Sequence, residues 1–394
     1  MRRPDVHTVR RAIAATPGAI TAGRLAALVA IVLIVGACAQ APAPTAELDL
    51  TGTWTLVRSS ESSTVAFGTT GDMTISFAAA DGGGAGFIGI RAASGMTVCR
   101  AYEAELVGES VLFLREQLES EVETWGFVLE RRGADEVVLS NERETFTATR
   151  VAGSAPLAPC GTVTVASSVD VAVDRPSRTT LSAVGDRLYF NTGSGNPIVG
   201  YSLSTESIVS SRSFTSLSSD DRFVVAALGD DEFVGQCACG RSRTVTRFDL
   251  EANALLVRVN TDDDLGVPMI VRYGYATDDH VVIGGAEDAD ALGSSVNVLA
   301  TLDRVTLDLV AQRTILDGVA IVDVAMLGAE LYAITSEWEV VRVGDDGRAS
   351  ATYALPDPPD AIVRGIAAVG DALYVLTVPS EFADAVTLLR LELP

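Results

Sequence analysis

The chain has 394 residues, more than one ordinary hydrophobic core serves, so two domains are expected, and its 48% hydrophobic content supplies apolar surface for both. Its 52 acidic residues outnumber 29 basic ones, and the basic ones are all Arg, for a net charge of -23. That balance excludes nucleic acid as a partner, because binding it needs a basic footprint that this surface would repel.

At the N-terminus Arg2, Arg3, Arg10, Arg11 and Arg24 precede an uncharged run from Leu25 to Ala37. At about 1.5 Å per residue the run falls short of a hydrocarbon core of ~30 Å, and it suits the h-region of an export signal. The Ala12-Ile13-Ala14 that follows Arg10-Arg11 does not fit twin-Arg export. The run ends in Val35-Gly36-Ala37-Cys38, which resembles the bacterial lipobox. That resemblance implies a signal peptide over residues 1–37, cleavage before Cys38, a diacylglycerol on Cys38 and attachment to a membrane. Residues 38–47, with Pro42 and Pro44 among Ala, Gln and Thr, read as a flexible, extended tether.

Residues 48–151 alternate short β-rich runs with turn clusters. The runs are Thr53 to Arg58, Met73 to Phe77, Gly86 to Ile90, Val98 to Leu106, Val111 to Leu114, Thr124 to Glu130, Glu136 to Ser140 and Thr145 to Val151. Such spacing predicts an antiparallel meander closed into a barrel or curled over itself. Glu116 to Glu123 is polar and fits either one helical turn or a long hairpin loop. Gly52-Thr53-Trp54 resembles the opening strand of META-type and lipocalin-like domains, which implies an indole laid across a barrel floor. Cys99-Arg100-Ala101-Tyr102 is similar to the Cys-Asn-x-Tyr run of META domains, with Arg100 in the place of Asn and Ala104 in that of the usual glycine. Trp54 and Trp125 themselves read as core aromatics.

The linker, residues 152–160, contains Gly153, Pro156 and Pro159, and the remainder, 161–394, is repetitive. Ala183-Val184-Gly185-Asp186-Arg187-Leu188-Tyr189-Phe190 returns as Ala368-Val369-Gly370-Asp371-Ala372-Leu373-Tyr374-Val375, with a weaker copy at Met326 to Tyr332. Degenerate copies are Ser219 to Val224 and Thr277 to Val282. Each copy predicts a hairpin with a Gly or Asp turn. Third and fourth β-rich runs follow, for example Val298 to Asp303 and then Leu309 to Ile315, so each unit reads as a four-stranded propeller blade. The equivalent positions Leu188, Phe223, Val281, Leu331 and Leu373 stand 35, 58, 50 and 42 residues apart, which places the longest insertions at Gly229 to Arg243 and Glu287 to Ser295. The fifth unit lacks a fourth strand, and Thr162 to Val173 is expected to supply it and close the ring. The expected fold is therefore all-β: a small META/lipocalin-like antiparallel barrel followed by a five-bladed, or six-bladed, β-propeller. This half resembles the quinoprotein-like and WD-like propeller superfamily in repeat pattern, without the Trp-Asp and Gly-His dipeptides of the WD class. The resemblance implies a fold and leaves the function open.

Little of the sequence points to catalysis. His280 is the only histidine once His7 leaves with the signal, and it occupies a hairpin turn. The pairs Asp220-Asp221, Asp230-Asp231, Asp278-Asp279 and Asp345-Asp346 and the triplet Asp262-Asp263-Asp264 lack the spacing of a calcium loop and read as turn residues. No catalytic residue, metal site or cofactor is expected. Beyond Cys38, four cysteines remain, Cys99, Cys160, Cys237 and Cys239, and they allow three disulfide connectivities. Cys237-Ala238-Cys239 sits between Gly235 and Gly240, where a bond within a tight loop is favoured over a thiolate metal site. The sequence thus predicts an exported lipoprotein, anchored in the cell membrane or outer membrane. It would serve as a non-enzymatic ligand-binding or protein-interaction scaffold, with a protein or small-molecule partner at a propeller face. The competing reading is a propeller hydrolase or dehydrogenase acting on an exported sugar or small polyol.

Overall fold

A computed structural model describes residues 49–394 apart from 60–71, 80–84, 93, 100–101, 109, 118–121, 143, 155–156, 158–159, 174–179, 193–196, 213–221, 238–242, 287–295, 357–360 and 380–384. The described residues contain strands and turns, and no helix. The expected signal, Cys38 and the tether lie outside them.

The first nine strands are β1 (Gly52–Arg58), β2 (Met73–Ala79), β3 (Ala85–Ala92), β4 (Thr97–Val98), β5 (Tyr102–Val107), β6 (Val111–Gln117), β7 (Val122–Arg131), β8 (Glu136–Ser140) and β9 (Thr145–Arg150). They form one antiparallel sheet in the order β4-β3-β2-β1-β9-β8-β7-β6-β5. Period-two alternation decides which face is buried: in β9, Phe146 and Ala148 are inside while the flanking threonines face out. The sheet curls until β3 adjoins β5, while its end strands β4 and β5 share no ladder among the described residues. Of the polar stretch left open above, Glu116 pairs with Glu123 and Gln117 with Val122 in the β6–β7 ladder, and 118–121 lie outside the described residues. Trp54 lies in the core, its indole N–H donating to the Leu50 carbonyl at 2.8 Å with the Arg150 guanidinium 4.5 Å above the ring.

Two strands bridge to the ring, β10 (Gly161–Thr162) and β11 (Thr164–Ala172). Blade 1 is β12 (Ser182–Val184), β13 (Arg187–Asn191), β14 (Ile198–Ser202) and β15 (Ser207–Arg212). Blade 2 is β16 (Arg222–Ala227), β17 (Glu232–Cys237), β18 (Thr244–Asp249) and β19 (Ala254–Asn260). Blade 3 is β20 (Ile270–Ala276), β21 (His280–Ala286), β22 (Asn297–Asp303) and β23 (Leu309–Ile315). Blade 4 is β24 (Ile321–Leu327), β25 (Glu330–Thr335), β26 (Glu339–Val343) and β27 (Ala349–Ala354), to which β10 adds a fifth, parallel strand. Blade 5 is β28 (Ala361–Val369), β29 (Ala372–Pro379) and β30 (Ala385–Glu392), completed by β11 along the β30 edge as expected. The innermost strands β12, β16, β20, β24 and β28 adjoin one another cyclically, so the ring has five blades and not six.

Type-specific turns explain the sequence repeat. Gly185, Gly328 and Gly370 hold φ of 60°, 62° and 62° at the β12–β13, β24–β25 and β28–β29 turns, the left-handed region in which glycine costs least. Blade 2 corrects the sequence alignment: Phe223 lies on the inner strand β16, and the true equivalent of Leu188 on the second strand is Phe233 on β17. Gly229-Asp230-Asp231 is the turn between them and Glu232–Cys237 is strand rather than inserted loop, while 238–242 lie outside the described residues. With Phe233 in place the intervals become 45, 48, 50 and 42 residues.

The core is divided among the blade interfaces, as the flat faces of neighbouring sheets require. Tyr189, Phe233 and Phe248 pack between blades 1 and 2, and Val225, Val271 and Ile283 between 2 and 3. Leu299, Val324 and Leu331 lie between 3 and 4, Ile334, Ile366 and Leu373 between 4 and 5, and Leu376, Leu388 and Phe190 between 5 and 1. A bulge recurs at one register where the fourth strand meets the third. The extra residues are Val209, Leu256, Val310, Ser350 and Ala166 in blades 1 to 5.

Candidate functional site

The axis of a closed propeller is where side chains from all blades converge, and here one acidic residue occupies it. Asp323 follows a bulge near the start of β24, opposite Ile334, and has no exposed surface. Its Oδ2 accepts the amides of Leu181, just before β12, and Ile366 of β28, each at 3.1 Å, and Oδ1 accepts the amide of Val324 at 2.9 Å. The amide of Gly274 on β20 also donates to the carboxyl. Burial raises the carboxyl's pKa to about 8 against the pull of these four amides, which favour the charged form. Amides from blades 1, 3, 4 and 5 thus converge on the two oxygens of the carboxyl, leaving it committed to holding the inner strands together rather than to a substrate.

A second polar cluster joins the curled sheet to blade 4. Ser94 to Cys99 runs along that blade: the Ser94 carbonyl accepts the Ala349 amide at 2.9 Å, and the Thr97 amide donates to Thr352 Oγ1 at 3.2 Å. The Cys99 amide donates to Glu339 Oε1 at 3.1 Å, and Glu339 is 2% exposed, its other oxygen accepting the Thr335 hydroxyl at 3.3 Å. Gly95 adopts φ +82° with its missing Cβ position 3.0 Å from the Ala349 carbonyl, so both conformation and space require glycine. Met96 enters the core shared by blades 3 and 4. Cys99 and Cys160 form a disulfide with Cα atoms 5.3 Å apart, tying β4 to the segment that enters the ring at β10. By its internal contacts Asp49–Pro394 is one compact unit.

Of the other residues singled out in the sequence, Cys239 and the side chain of Cys237 lie outside the described residues. His280 opens β21 and closes the preceding turn, its amide donating to Thr277 Oγ1 at 3.1 Å. Asp230 accepts from the Tyr189 hydroxyl at 2.7 Å and pairs with Arg187 at 2.6 Å, while Asp231 pairs with Arg212 at 2.5 Å. Asp262 pairs with Arg243, and Asp264 accepts the Asn260 amide at 2.7 Å, which closes that loop on itself. Asp323 and Glu339 were not singled out. The available signal was an acidic residue inside an apolar strand run, Ile321-Val322-Asp323-Val324-Ala325 and Glu339-Val340-Val341.

No protein-family model matches the chain, and no curated protein matches its sequence. Among solved structures the chain is similar to glutaminyl cyclase of Myxococcus xanthus at 12% identity and TM-score 0.41, over 57% of this chain and 94% of that one. It is similar to the WD40 β-propeller domain of Doa1 at 11% identity and TM-score 0.33, over 74% and 90% of the two chains. It is similar to BamB of Moraxella catarrhalis at 12% identity and TM-score 0.27, over 74% and 79%. The propeller assignment itself rests on the strand ladders and the cyclic order of the inner strands.

Proposed function

We propose that the protein is an exported, lipid-anchored interaction scaffold of the cell envelope. In this reading Cys38 carries the lipid and 38–47 is the tether. Residues 48–151 form a META/lipocalin-like module, 152–160 a linker, and 161–394 the propeller that presents the binding surface. The observation that carries the scaffold reading is a row of exposed aliphatic pairs at the recurring bulge of three neighbouring blades. They are Ile208-Val209, Leu255-Leu256 and Leu309-Val310, with Val310 56% and Leu256 45% exposed. The equivalents in the other two blades are Ala349-Ser350 and Val165-Ala166. Apolar groups recurring on one rim are what a protein partner desolvates with profit. The internal use of Asp323 supports the same reading, since it removes an axial acid from catalysis. The Cys99–Cys160 disulfide supports an oxidising, exported location.

The test has two arms. A photo-reactive residue placed at Leu256 or Val310 in cells should crosslink a single envelope protein, and one at Ser350 should not. Turnover of an exported sugar or polyol by the purified protein would replace the scaffold with an enzyme.

A further inference from the structure

A cavity of about 210 Å³ opens between blade 5 and blade 1, beside the blade 1 end of the aliphatic row, where Tyr201 pairs with Ile208. Blade 1 contributes Tyr201 of β14, with Leu203 and Glu206 of the turn that follows, and blade 5 contributes Tyr374, Leu388 and Arg390. Three features of this lining cost the fold something and return nothing within it. Tyr201 is 3% exposed, and its buried hydroxyl has no hydrogen-bond partner among the described residues. An unsatisfied buried hydroxyl costs about 1–3 kcal/mol. Arg390 is half-buried, and among the described residues no side chain or carbonyl pairs with its guanidinium. Glu206 stands at φ +49°, a left-handed turn position that the next three blades fill with Asn253, Leu307 and Gly347, so the turn itself does not call for an acidic side chain.

The chemistry of the lining specifies an occupant. Arg390 offers a planar fork of donors suited to a carboxylate. Glu206 faces the same cavity without pairing with Arg390, and so remains available to an ammonium group. Burial, and after it the Glu206 charge, push the Tyr201 hydroxyl above its ordinary pKa, so it stays a donor at neutral pH. Leu203, Leu388 and the Tyr374 ring form apolar walls. The volume falls below the ~300–1,000 Å³ of drug-sized ligand sites, the scale of one amino acid rather than an oligosaccharide. We infer that this interblade cleft binds a small zwitterion, a free α-amino acid with an apolar side chain. Its carboxylate would lie on Arg390 and the Tyr201 hydroxyl, its ammonium group on Glu206, and its side chain against Tyr374 and Leu388.

The experiment is calorimetric titration of the full-length protein in detergent with L-leucine and L-phenylalanine, alongside L-leucinamide and N-acetyl-L-leucine. The free amino acids should bind, and each capped form should bind at least about tenfold more weakly, the value of one lost charge-assisted hydrogen bond. Arg390→Gln, Tyr201→Phe and Glu206→Gly should each lower affinity for the free amino acid by about tenfold. Two of these variants separate binding from folding: Tyr201→Phe removes an unpaired buried hydroxyl and Glu206→Gly relieves a left-handed residue, so both should melt at or above the wild-type temperature. No binding of either amino acid at millimolar concentration, equal binding of capped and free forms, or unchanged affinity in all three variants would overturn the assignment.

Discussion

Asp323 Oδ2 accepts the amide of Leu181 at 3.1 Å, a hydrogen bond that spans 142 residues and joins the fourth blade to the first across the propeller axis. The same oxygen holds Ile366 of the fifth blade. Replacement by Asn keeps the size of the side chain but puts an NH2 group, which cannot accept, where the neutral carboxyl has an oxygen that can. Each amide left without its partner costs about 1–3 kcal/mol, so Asp323→Asn should destabilise the chain by at least about 2 kcal/mol, and Asp323→Ala by more. Urea unfolding measures it, and a variant within 0.5 kcal/mol of wild type (roughly the range of neutral surface changes) would deny the keystone role.

The same carboxyl sets a pH dependence. Its ordinary value is 3.8 and burial holds the native value at about 8, so between those limits the native state binds a proton that the unfolded state has released. Stability from this group is therefore greatest below pH ~4, falls as pH rises towards ~8, and is flat above, with a slope of at most about 1.4 kcal/mol per pH unit. Urea midpoints from pH 5 to 8.5 should decline more steeply for wild type than for Asp323→Asn. Parallel curves would mean that the decline comes from the net charge of -23 and not from Asp323.

The disulfide closes a separation of 61 residues, which by loop entropy stabilises the fold by about 4 kcal/mol. Cys99→Ala with Cys160→Ala should accordingly lower the melting temperature markedly. The Ser94, Thr97 and Cys99 backbone contacts with blade 4 and the insertion of Met96 remain, so unfolding should still be one transition. Two separated transitions in the calorimeter would show that the disulfide alone couples the sheet to the ring.

Much of this architecture is legible in the residues, for local reasons. Gly185 and Gly370 mark equivalent turns because their left-handed φ admits few alternatives, and the strands around them follow by alternation. Blade 2 was misread because Ser219-Asp220-Asp221 has the same turn chemistry as Gly229-Asp230-Asp231, and only the ladder between Phe233 and Phe248 decides which pair of strands is meant. Asp323 left a weaker trace, since its partners are backbone amides that any residue can supply. The Cys99–Cys160 pair is one of six that four cysteines can form, and spatial proximity selects it. The Tyr201 cleft is formed by residues far apart in sequence, and nothing in the local pattern of β14 distinguishes it from core.

Ring closure is the relation on which the whole C-terminal half depends. β11 pairs with β30 from Thr164 opposite Glu392 to Ala172 opposite Ala385, and the Thr387 hydroxyl donates to Asp170 at 2.7 Å. Val171 of this strand and Val173 just after it are buried in the core shared by blades 5 and 1, beside Val386 and Leu388 of β30 and Val199 of β14. Taking the strand away therefore does two things: it exposes the β30 edge, and it opens a void between the first blade and the last. A chain that begins after Val173 should lose hydrogen-exchange protection over Ala385–Glu392 and also over Ile198–Ser202, although the latter makes no ladder with β11. Val171→Asp in the full chain should weaken both segments in the same order, because it disrupts the shared core and leaves the rest of the strand present. Protection lost at β30 alone would confine the closing strand to its edge, and protection unchanged in both would mean that the ring is held by its inner strands without it.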